Sequence, residues 1–528
     1  MCEATEDNNQ KPQVIINNID FNDGSRLSLN QNSIVIFTGG NNCGKSQVLK
    51  DIENGLDNKK KEHLVVISNI DYRYDGMMND KFINNRAFMN EQGNYMLPNS
   101  SYLFNKDTFY SVWENHCFYN DLNHLFIKRL DTEHRITTSN ALNRNQEPEK
   151  HPIFKLYNNN KLMEKLSSYF HQAFDVDLII NTNEMQTIPM HIGNAPDQKM
   201  YTIQDKDEYY SIISNMPKLH TQGDGMRSFA SILLDTFTSE YSITLIDEPE
   251  AFLHPPQARV LGKMLATNNP SNRQLFISTH SEDFLQGLLD ADNENVTVIR
   301  INRSDNKNIM SILRNDKIKE LWRNPLLRYS NILNGLFHDK VVVCESDYDC
   351  LFYQAIMNAM IEERKEIAPD ILFTHCGGKN RIKDAVTALR VINVPVVAIC
   401  DFDILNSKQD FRQLFESFGL NWNDELEKNM KIFYDTINCA PELKEMLKDS
   451  GKHVLTGEAP VAFENIDKIC RNTGLYIVPF GEMESFDKTT NKKKKDWVYS
   501  VLEKYDLAIE KKLNDAKDFI QGVLDFQI

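Results

Sequence analysis

Apolar and polar positions in the first part of the chain alternate as they do in short strands broken by turns. Apolar residues at 14–16 and 19 lead to an Asn-Asp-Gly turn, and residues 33–37 form an apolar, β-branched run before a glycine-rich segment and a helix pattern. A second series of strand, loop, helix and strand covers 243–285, with one more strand at 296–301. This alternation predicts an α/β domain.

Two stretches of the first half are less regular. Residues 68–150 are rich in Asn, Tyr and Phe and weakly patterned, which predicts an irregular, partly helical insertion. Residues 153–173 have a helical pattern, and 176–204 have the pattern of short strands. We therefore expect a first domain over 1–320, with an inserted and dimerisation region at about 68–205.

A new β/α alternation follows a helical tract at 318–337. Strand patterns occur at 340–344, 371–374, 394–400 and 475–478. Strands joined by helices imply a parallel sheet with right-handed crossovers, which is a Rossmann-like arrangement. The expected second domain covers 321–528 and ends in helices.

Composition limits the class of protein. Hydrophobic residues make up 41% and charged residues 25% of the 528 residues, as in globular proteins of two or three domains. No apolar run reaches the roughly 20 residues that cross a bilayer, and the polar, acidic start is unlike a signal peptide. The nine cysteines are scattered and form no CxxC pair. We expect a cytoplasmic protein that does not enter a membrane.

The net charge of −16 means that binding of nucleic acid must use local basic patches. Lysine runs occur at 59–61 and 492–495. The first run is typical of solvated surface. The second follows closely on an acidic segment and precedes Trp497, so either a role at a phosphate or simple solubility fits it.

Residues 39–46 read Gly-Gly-Asn-Asn-Cys-Gly-Lys-Ser, which fits the phosphate-binding motif G-x-x-x-x-G-K-[ST] between a strand and a helix. Glycines let the backbone wrap around phosphates so that successive N–H groups point at them. Lys45 would contact the β- and γ-phosphates, and the Ser46 hydroxyl would ligate Mg²⁺. The remaining residues predicted to bind the nucleotide within the loop are Gly39, Asn41, Asn42 and Gly44.

Polar residues that follow later strands supply the partners that this loop needs. Asp247, at the end of an apolar strand, is suited to the Mg²⁺ shell, and Glu248 to orienting or deprotonating the attacking water. His280 follows the strand at 274–278 and is placed to reach the γ-phosphate. These residues predict an ATP site.

Carboxylates follow the strands of the second half in the same way. Glu345 follows the first strand and Asp349 lies one helical turn further on, while Asp401 and Asp403 follow the strand at 394–400. The carboxyl ends of parallel strands meet at one edge of a sheet. Carboxylates packed there repel one another unless hard cations neutralise them, so Mg²⁺ or Mn²⁺ bound to a scissile phosphate is the natural ligand.

The first half resembles the ABC/SMC-like ATPases. The motifs that carry the resemblance are the loop at 39–46, Asp-Glu-Pro-Glu at 247–250 with Phe-Leu-His-Pro after it, and Ser-Thr-His-Ser at 278–281. The resemblance implies a signature loop that completes the site of a second protomer. The candidate for this loop is the segment 222–228, in which Gly225 and Arg227 would bind the nucleotide. Its sequence differs from the usual Leu-Ser-Gly-Gly-Gln. The enzyme is then a homodimer or a higher even-numbered oligomer.

The second half resembles a Toprim domain, with a glutamate after the first strand, a glycine-bearing turn at 375–380 and Asp-x-Asp after a later strand. Ser346 stands where many Toprim domains have glycine, and Asp349 where some nucleases have glutamate. The whole chain resembles the OLD (overcoming lysogenization defect) nucleases, also at the segments 324–329, 337–340 and 478–486. This family implies Glu484 as a further metal ligand.

The OLD resemblance implies an ATP-regulated DNA endonuclease or nickase of bacterial defence against phage, in which ATP either activates or restrains cleavage. A C-terminal basic residue then neutralises charge in the transition state, and Lys494 and Lys495 are the candidates. Some enzymes that resemble this one work with a helicase, or with a retron's reverse transcriptase and its DNA, and the sequence does not choose between these partners. Two other functions are compatible with the motifs. One is an ATP-driven clamp or sensor that does not cleave DNA, and the other, which the motif order disfavours, is a topoisomerase or primase.

Overall fold

The computed structural model describes residues 11–98, 100–133, 135–144, 151–196, 206–304, 307–313, 331–439 and 442–527. Contacts divide the chain into two compact units, residues 1–319 and 320–528. The strand pattern at 197–204, most of the helical tract at 318–337 and the expected domain boundary lie outside the described residues. Among the described helices, none is long and apolar enough to cross a membrane.

Strands and helices alternate along the first unit. The strands that the structure describes are β1 (Gln13–Phe21), β2 (Arg26–Ser28), β3 (Ile34–Thr38), β4 (Ile67–Asp75), β5 (Phe88–Met89), β6 (Tyr95–Met96), β7 (Leu103–Phe104), β8 (Ile127–Leu130), β9 (Leu142–Asn143), β10 (Asp177–Ile180), β11 (Thr187–Ile188), β12 (Met190–Gly193), β13 (Ile243–Asp247), β14 (Gln274–Ser278), β15 (Val296–Ser304) and β16 (Lys307–Leu313). The helices described there are α1 (Lys45–Gly55), α2 (Asp80–Arg86), α3 (Lys106–Glu114), α4 (Pro152–Tyr157), α5 (Asn160–Phe174), α6 (Lys206–Ser214), α7 (Asp224–Thr238), α8 (Pro255–Thr267) and α9 (Glu282–Asp290).

A six-stranded sheet with the order β16-β15-β3-β14-β13-β8 forms the centre of this unit. All neighbouring strands are parallel except the edge pair β15–β16. β14 lies between β3 and β13, and the three strands are parallel, so the segments that follow them lie at one edge of the sheet. These segments are the glycine-rich loop after β3, the acids after β13 and the polar residues after β14. A second, antiparallel sheet, β2-β1-β4, shares a hydrophobic core with the central sheet and α1.

The segment predicted as an insertion contributes to both sheets. β4 pairs with β1, and β8 forms an edge of the central sheet beside β13. The residues between them form an excursion with α2, the three-stranded sheet β5-β6-β7 and α3. The sequence hides β8 because it has four residues and buries only its two ends. The helix predicted at 153–173 is two helices, because the side chain of Asn159 caps a new helix by accepting from the N–H of Leu162.

The second unit has the predicted β/α alternation. Its described strands are β17 (Lys340–Cys344), β18 (Ile371–His375), β19 (Val396–Cys400) and β20 (Leu475–Ile477). Its described helices are α10 (Asp347–Arg364), α11 (Ile382–Val391), α12 (Lys408–Ser417), α13 (Asp424–Cys439), α14 (Glu442–Ser450), α15 (Ala459–Arg471), α16 (Lys494–Lys504) and α17 (Asn514–Asp525).

These strands form a parallel sheet with the order β18-β17-β19-β20. Side chains of α10, α16 and α17 pack on one face in a core that includes the fully buried Trp497. The connection from β19 to β20 is long and carries α12 to α15. The carboxyl edge of the sheet therefore receives Glu345, Asp401 and the segment after β20, together with residues from that long connection.

Asp51 ties the helix after the glycine-rich loop to the neighbouring sheet. Its buried Oδ2 accepts hydrogen bonds from the backbone N–H groups of Val65, Val66 and Ile67, at 2.9, 2.6 and 3.1 Å. Asp51→Ala leaves three donors without this acceptor, and we expect it to cost about 3 kcal/mol or more of unfolding free energy. Asp51→Asn retains an oxygen and should cost less. Denaturant unfolding of the two variants measures the difference, and equal stability of Asp51→Ala and the unmodified chain would contradict this role.

Candidate active sites

The glycine-rich loop at 39–46 has the shape that phosphate binding needs. Gly39 has a φ of 140°, and a Cβ added there would collide with the carbonyl oxygen of Ile301. The ammonium group of Lys45 donates to the carbonyls of Gly39 and Gly40, at 2.9 and 2.8 Å, so its charge lies inside the loop. Asn42 is held in a left-handed conformation, and its carbonyl accepts from Arg303 at 3.4 Å. The loop geometry fits a nucleotide phosphate.

Asp247 connects three elements at this edge of the sheet. Its Oδ1 accepts from the hydroxyl of Ser46 at 2.9 Å and from the hydroxyl of Ser278. The pairing joins the first residues of α1 to the ends of β13 and β14. A carboxylate beside a serine hydroxyl is the donor set that Mg²⁺ uses next to phosphates, so these two oxygens fit the ion that accompanies ATP.

Glu248 and His280, which the sequence predicts separately for the attacking water and the γ-phosphate, form an acid–base pair in the structure. Nδ1 of His280 lies 3.3 Å from Oε1 of Glu248. This hydrogen bond lowers the pKa of Glu248 and raises the pKa of His280. Glu250 is buried beneath them, and its Oε1 accepts from the hydroxyl of Thr279 and the backbone N–H of His280, at 2.8 and 3.0 Å. Glu248 is therefore held as a carboxylate, the form that can accept a proton.

Arg135 is a buried residue of this site that sequence analysis missed. Its guanidinium donates to the carbonyls of Asp247 and Glu248, each at 2.9 Å. Glu248 has a φ of 48°, which is unusual for a residue with a side chain. Arg135 thus fixes the backbone turn from which both acidic side chains extend. The bond joins residues 112 positions apart, and the local sequence carries no signal for it.

The proposed signature loop starts a helix. Gly223 precedes α7, and Gly225 packs its backbone against the carbonyl of Phe252, in the turn after the acidic residues. Arg227 donates to Asp224 at 3.1 Å. This placement connects the loop to the 247–252 turn, and the roles of Gly225 and Arg227 at a nucleotide stay predictions.

Carboxylates meet at the carboxyl edge of the second sheet. Oε1 of Glu345 accepts from the backbone N–H of Asp401 at 3.2 Å, so the ends of β17 and β19 are in contact. Asp349 forms a capping box with Ser346 at the start of α10. Its Oδ2 accepts from the backbone N–H and from the hydroxyl of Ser346, each at 2.9 Å. Asp403 accepts from Lys379 of the glycine-bearing turn at 2.8 Å.

Burial and mutual repulsion hold these acids in an unusual state. Burial, with the nearby charges of Asp403 and Asp349, raises the pKa of Glu345 to about 7. Burial and the charge of Glu345 raise the pKa of Asp401 well above its ordinary value. Burial also raises the pKa of Asp349, with contributions from Glu484 and Glu482. The cluster binds protons more tightly than isolated carboxylates, which is the condition that a cation would relieve.

The chemistry of this donor set fits a hard divalent cation, but the side chains are not arranged around one. In the described part of the chain, no group of three or more His, Cys, Asp or Glu side chains is placed to hold a metal ion. Oδ1 of Asp403 is buried without a hydrogen-bond partner among the described residues, so this carboxylate has an unused acceptor. Binding of a cation would need these carboxylates to turn towards it, and Asp403 can offer its unused Oδ1.

Two acids follow β20. Glu484 accepts from the backbone N–H of Lys494 at 2.6 Å and so helps to start α16. Glu482, which sequence analysis missed, forms an ion pair with Lys448 at 2.9 Å. The ammonium group of Lys495 lies 5.8 Å from the ring centre of Tyr499. The charge of Glu484 contributes to the raised pKa of Asp349. The metal-ligand role of Glu484 and a catalytic role of Lys494 or Lys495 stay predictions.

Family models match both units. A model described as an AAA domain of the AbiEii toxin, type IV toxin–antitoxin kind matches residues 77–285, beginning after the glycine-rich loop. A model described as the Toprim domain of overcoming lysogenization defect protein-like proteins matches residues 336–403, which contain Glu345, Asp401 and Asp403. The two matches show an ATPase domain followed by a Toprim domain like that of overcoming lysogenization defect protein-like proteins. The predicted fold class, an ABC-type ATPase followed by a Toprim domain, is confirmed.

Curated relatives agree with this assignment. The chain is 25% identical to the Old nuclease of Escherichia phage P2 over 56% of its own length and 52% of the relative. It is 29% identical to an ATP/GTP phosphatase of Helicobacter pylori over 26% of its length and 33% of the relative. The chain therefore spans about half the length of the first relative and a third of the second.

Among solved structures, the SMC head domain from Thermotoga maritima overlaps 58% of this chain and 100% of its own, with a TM-score of 0.30 and 9% identity. The fold assignment of this chain rests on its strand order and on the family models.

Arg135 provides a test of the ATP site. We expect Arg135→Ala to lower ATP hydrolysis on the order of tenfold or more, because the backbone of Asp247 and Glu248 loses two hydrogen bonds to a charged group. Nucleotide binding should change less, since the phosphate loop is untouched. Steady-state hydrolysis and binding of a fluorescent ATP analogue measure the two effects.

Arg144 offers a matched control. Its guanidinium also donates to two backbone carbonyls, those of Thr182 and Glu184, away from the ATP site. Arg144→Ala should leave hydrolysis near its original rate. Equal losses in the two variants would show that Arg135 acts only through general stability.

The pKa of Glu345 gives a pH prediction. Because its pKa is raised from 4.5 to about 7, the folded chain keeps a proton that the unfolded chain releases, and this stabilisation is lost as pH rises through about 7. A cation must displace the same proton. We therefore expect Mn²⁺ to raise the unfolding temperature of the Toprim unit little below pH 7 and increasingly above it. Thermal unfolding with and without Mn²⁺ across pH measures this, and a metal effect independent of pH would refute it.

Proposed function

We propose that this chain is an ATP-binding and ATP-hydrolysing, divalent-metal-dependent DNA endonuclease that nicks or cleaves DNA in bacterial defence against phage, in the cytoplasm. The observation that carries the nuclease half is the contact of Glu345 with Asp401 inside a buried group of acids at the edge of the Toprim sheet. The likeness to a relative named Old nuclease supports the same function.

In the ATPase half, Lys45 holds the phosphates, and Ser46 with Asp247 would hold Mg²⁺. Glu248 accepts the proton of the attacking water, and His280 orients Glu248 through the 3.3 Å contact. Gly225 and Arg227 would act on the nucleotide of a second protomer, so the proposed active form is a homodimer or a higher even-numbered oligomer. The 54% exposure of Phe252, beside Gly225, supports a surface there that a second copy covers.

In the nuclease half, Glu345, Asp349, Asp401, Asp403 and Glu484 would hold Mg²⁺ or Mn²⁺. Bound ions would stabilise the attacking and leaving oxygens of a phosphodiester. Glu345 and Asp401 release protons as the site fills, which makes the acids available as ligands. A defence partner, such as a helicase or a retron's reverse transcriptase with its DNA, belongs to the proposal because of the family resemblance.

A second candidate function is an ATP-driven clamp or sensor that binds DNA without cutting it. The ion pair of Lys379 with Asp403 favours this alternative, because it neutralises the charge of one acid without a metal. Cleavage by the purified chain distinguishes the two functions.

We expect the purified chain to nick plasmid DNA with Mg²⁺ or Mn²⁺. Asp401→Ala removes an acid from the centre of the cluster, and nicking should fall by about 100-fold or more, since metal ions supply several kcal/mol to phosphoryl chemistry. Nucleotide binding should survive in this variant and should be lost in Lys45→Ala.

Asp435→Ala removes an exposed acid of α13 and serves as the control. It should nick DNA as the unmodified chain does. Unchanged nicking in Asp401→Ala would remove Asp401 from the mechanism, and absence of nicking in the unmodified chain with either metal would favour the clamp or sensor. Full ATP hydrolysis in Lys45→Ala would refute the assignment of the phosphate loop.

A further inference from the structure

Lys448 is brought to the Toprim carboxylates by the long connection between β19 and β20. It lies near the end of α14, far in sequence from every residue of the cluster. Its ammonium group pairs with Glu482 at 2.9 Å. The lysine therefore reaches the carboxyl edge of the sheet from a part of the chain in which the sequence shows no motif.

Backbone contacts fix the end of α14 against the segment that carries Glu482. The N–H of Lys452 donates to the carbonyl of Pro479 at 2.9 Å, and the hydroxyl of Ser485 donates to the carbonyl of Asp449 at 3.2 Å. Gly451 has a φ of 50°, and a Cβ there would collide with the carbonyl of Pro479. The backbone on both sides of Lys448 is thus positioned by the segment after β20.

The ammonium group of Lys448 is open to solvent beside the acidic segment that follows β20. The side chain of Lys448 is 50% exposed, whereas that of its partner Glu482 is 15% exposed. The hydrogen bond to Glu482 raises the pKa of Lys448, and the charges of Glu482, Asp403 and Asp401 add to this effect. A positive charge that faces both solvent and the cluster can contact an anion that approaches the acids.

We propose that Lys448 is a DNA-binding residue of the nuclease site, whose ammonium group contacts a nonbridging oxygen of the phosphodiester that lies against Asp401. This inference rests on the proposed nuclease function, because it assigns Lys448 to binding of the DNA that the nuclease would cleave. In the absence of DNA, Glu482 keeps the ammonium group in place. Phosphate then replaces Glu482 as its partner, and the acid is free to accept another contact.

Other lysines near the site are less suited to this contact. Lys379 donates to Asp403 from a side chain that is 36% exposed, so it neutralises one of the acids. Lys495 is in the first turn of α16, and its ammonium group lies over the ring of Tyr499. Among these three lysines, Lys448 is the one whose half-exposed ammonium group pairs with an acid of the segment after β20.

The test compares Lys448→Ala and Lys448→Arg with the unmodified chain and with Lys428→Ala. Lys428 is an exposed lysine of α13 in the same connection, so its removal changes the net charge equally. Binding of a fluorescent DNA duplex is measured in Ca²⁺ over a range of salt concentrations, and plasmid nicking is measured in Mn²⁺.

Loss of one phosphate contact should lower the slope of log affinity against log salt by about 0.9. We expect this change in Lys448→Ala, together with about tenfold slower nicking, and recovery of most of both effects in Lys448→Arg. Lys428→Ala should match the unmodified chain in slope and rate. The unfolding temperature of each variant shows whether the fold is retained.

The slope comparison is independent of cleavage. If Lys448→Ala is folded and its salt slope and nicking rate equal those of the unmodified chain, the proposed contact is wrong. If the unmodified chain binds DNA but never nicks it, the proposed nuclease function is wrong. The slope of log affinity against log salt then tests by itself whether Lys448 contacts a phosphate. Absence of DNA binding by the unmodified chain would overturn both proposals.

Discussion

Parallel strands deliver the polar residues that follow them to a single edge, and in this chain both sheets place several carboxylates there. Close carboxylates repel one another, and burial strengthens the repulsion. The first unit counters it with hydrogen bonds, because Asp247 accepts from two serines and Glu248 pairs with His280. The second unit leaves more of it in place, and burial together with the charges of Asp403 and Asp349 raises the pKa of Glu345 to about 7. In the first unit, Glu248 is kept as a carboxylate near the phosphate loop. In the second unit, Glu345 and Asp401 retain protons that a cation can displace.

Residues distant in sequence position both sets of acids. Arg135 binds the backbone under Asp247 and Glu248, and the end of α14 packs against the segment that carries Glu482. In each unit, the chain between two core strands therefore does more than connect them. In the first unit it supplies Arg135, which donates to two backbone carbonyls at the acidic edge. In the second unit it supplies Lys448, which pairs with the carboxylate of Glu482.

The sequence predicts the core strands well, because buried parallel strands are continuous apolar runs with acids directly after them. The run at 340–344 followed by Glu345 is an example, and the structure has the strand at Lys340–Cys344. The four-residue strand β8 lacks such a run and was missed within the predicted insertion. Arg135 and Lys448 were also missed, since a pairing over long sequence separations has no local periodicity. Glu482 lies two residues before Glu484, in a segment that resembles the OLD family, so a signal was present there.

The central claim is that Glu345, Asp401 and Asp403 bind a divalent cation together once their protons are displaced. Anomalous X-ray diffraction from crystals of the chain grown with Mn²⁺ above pH 7 tests it directly. We predict a manganese peak at the carboxyl edge of the Toprim sheet, in contact with carboxylate oxygens of Glu345, Asp401 and Asp403. A well-ordered edge without a peak at saturating Mn²⁺ would contradict the claim.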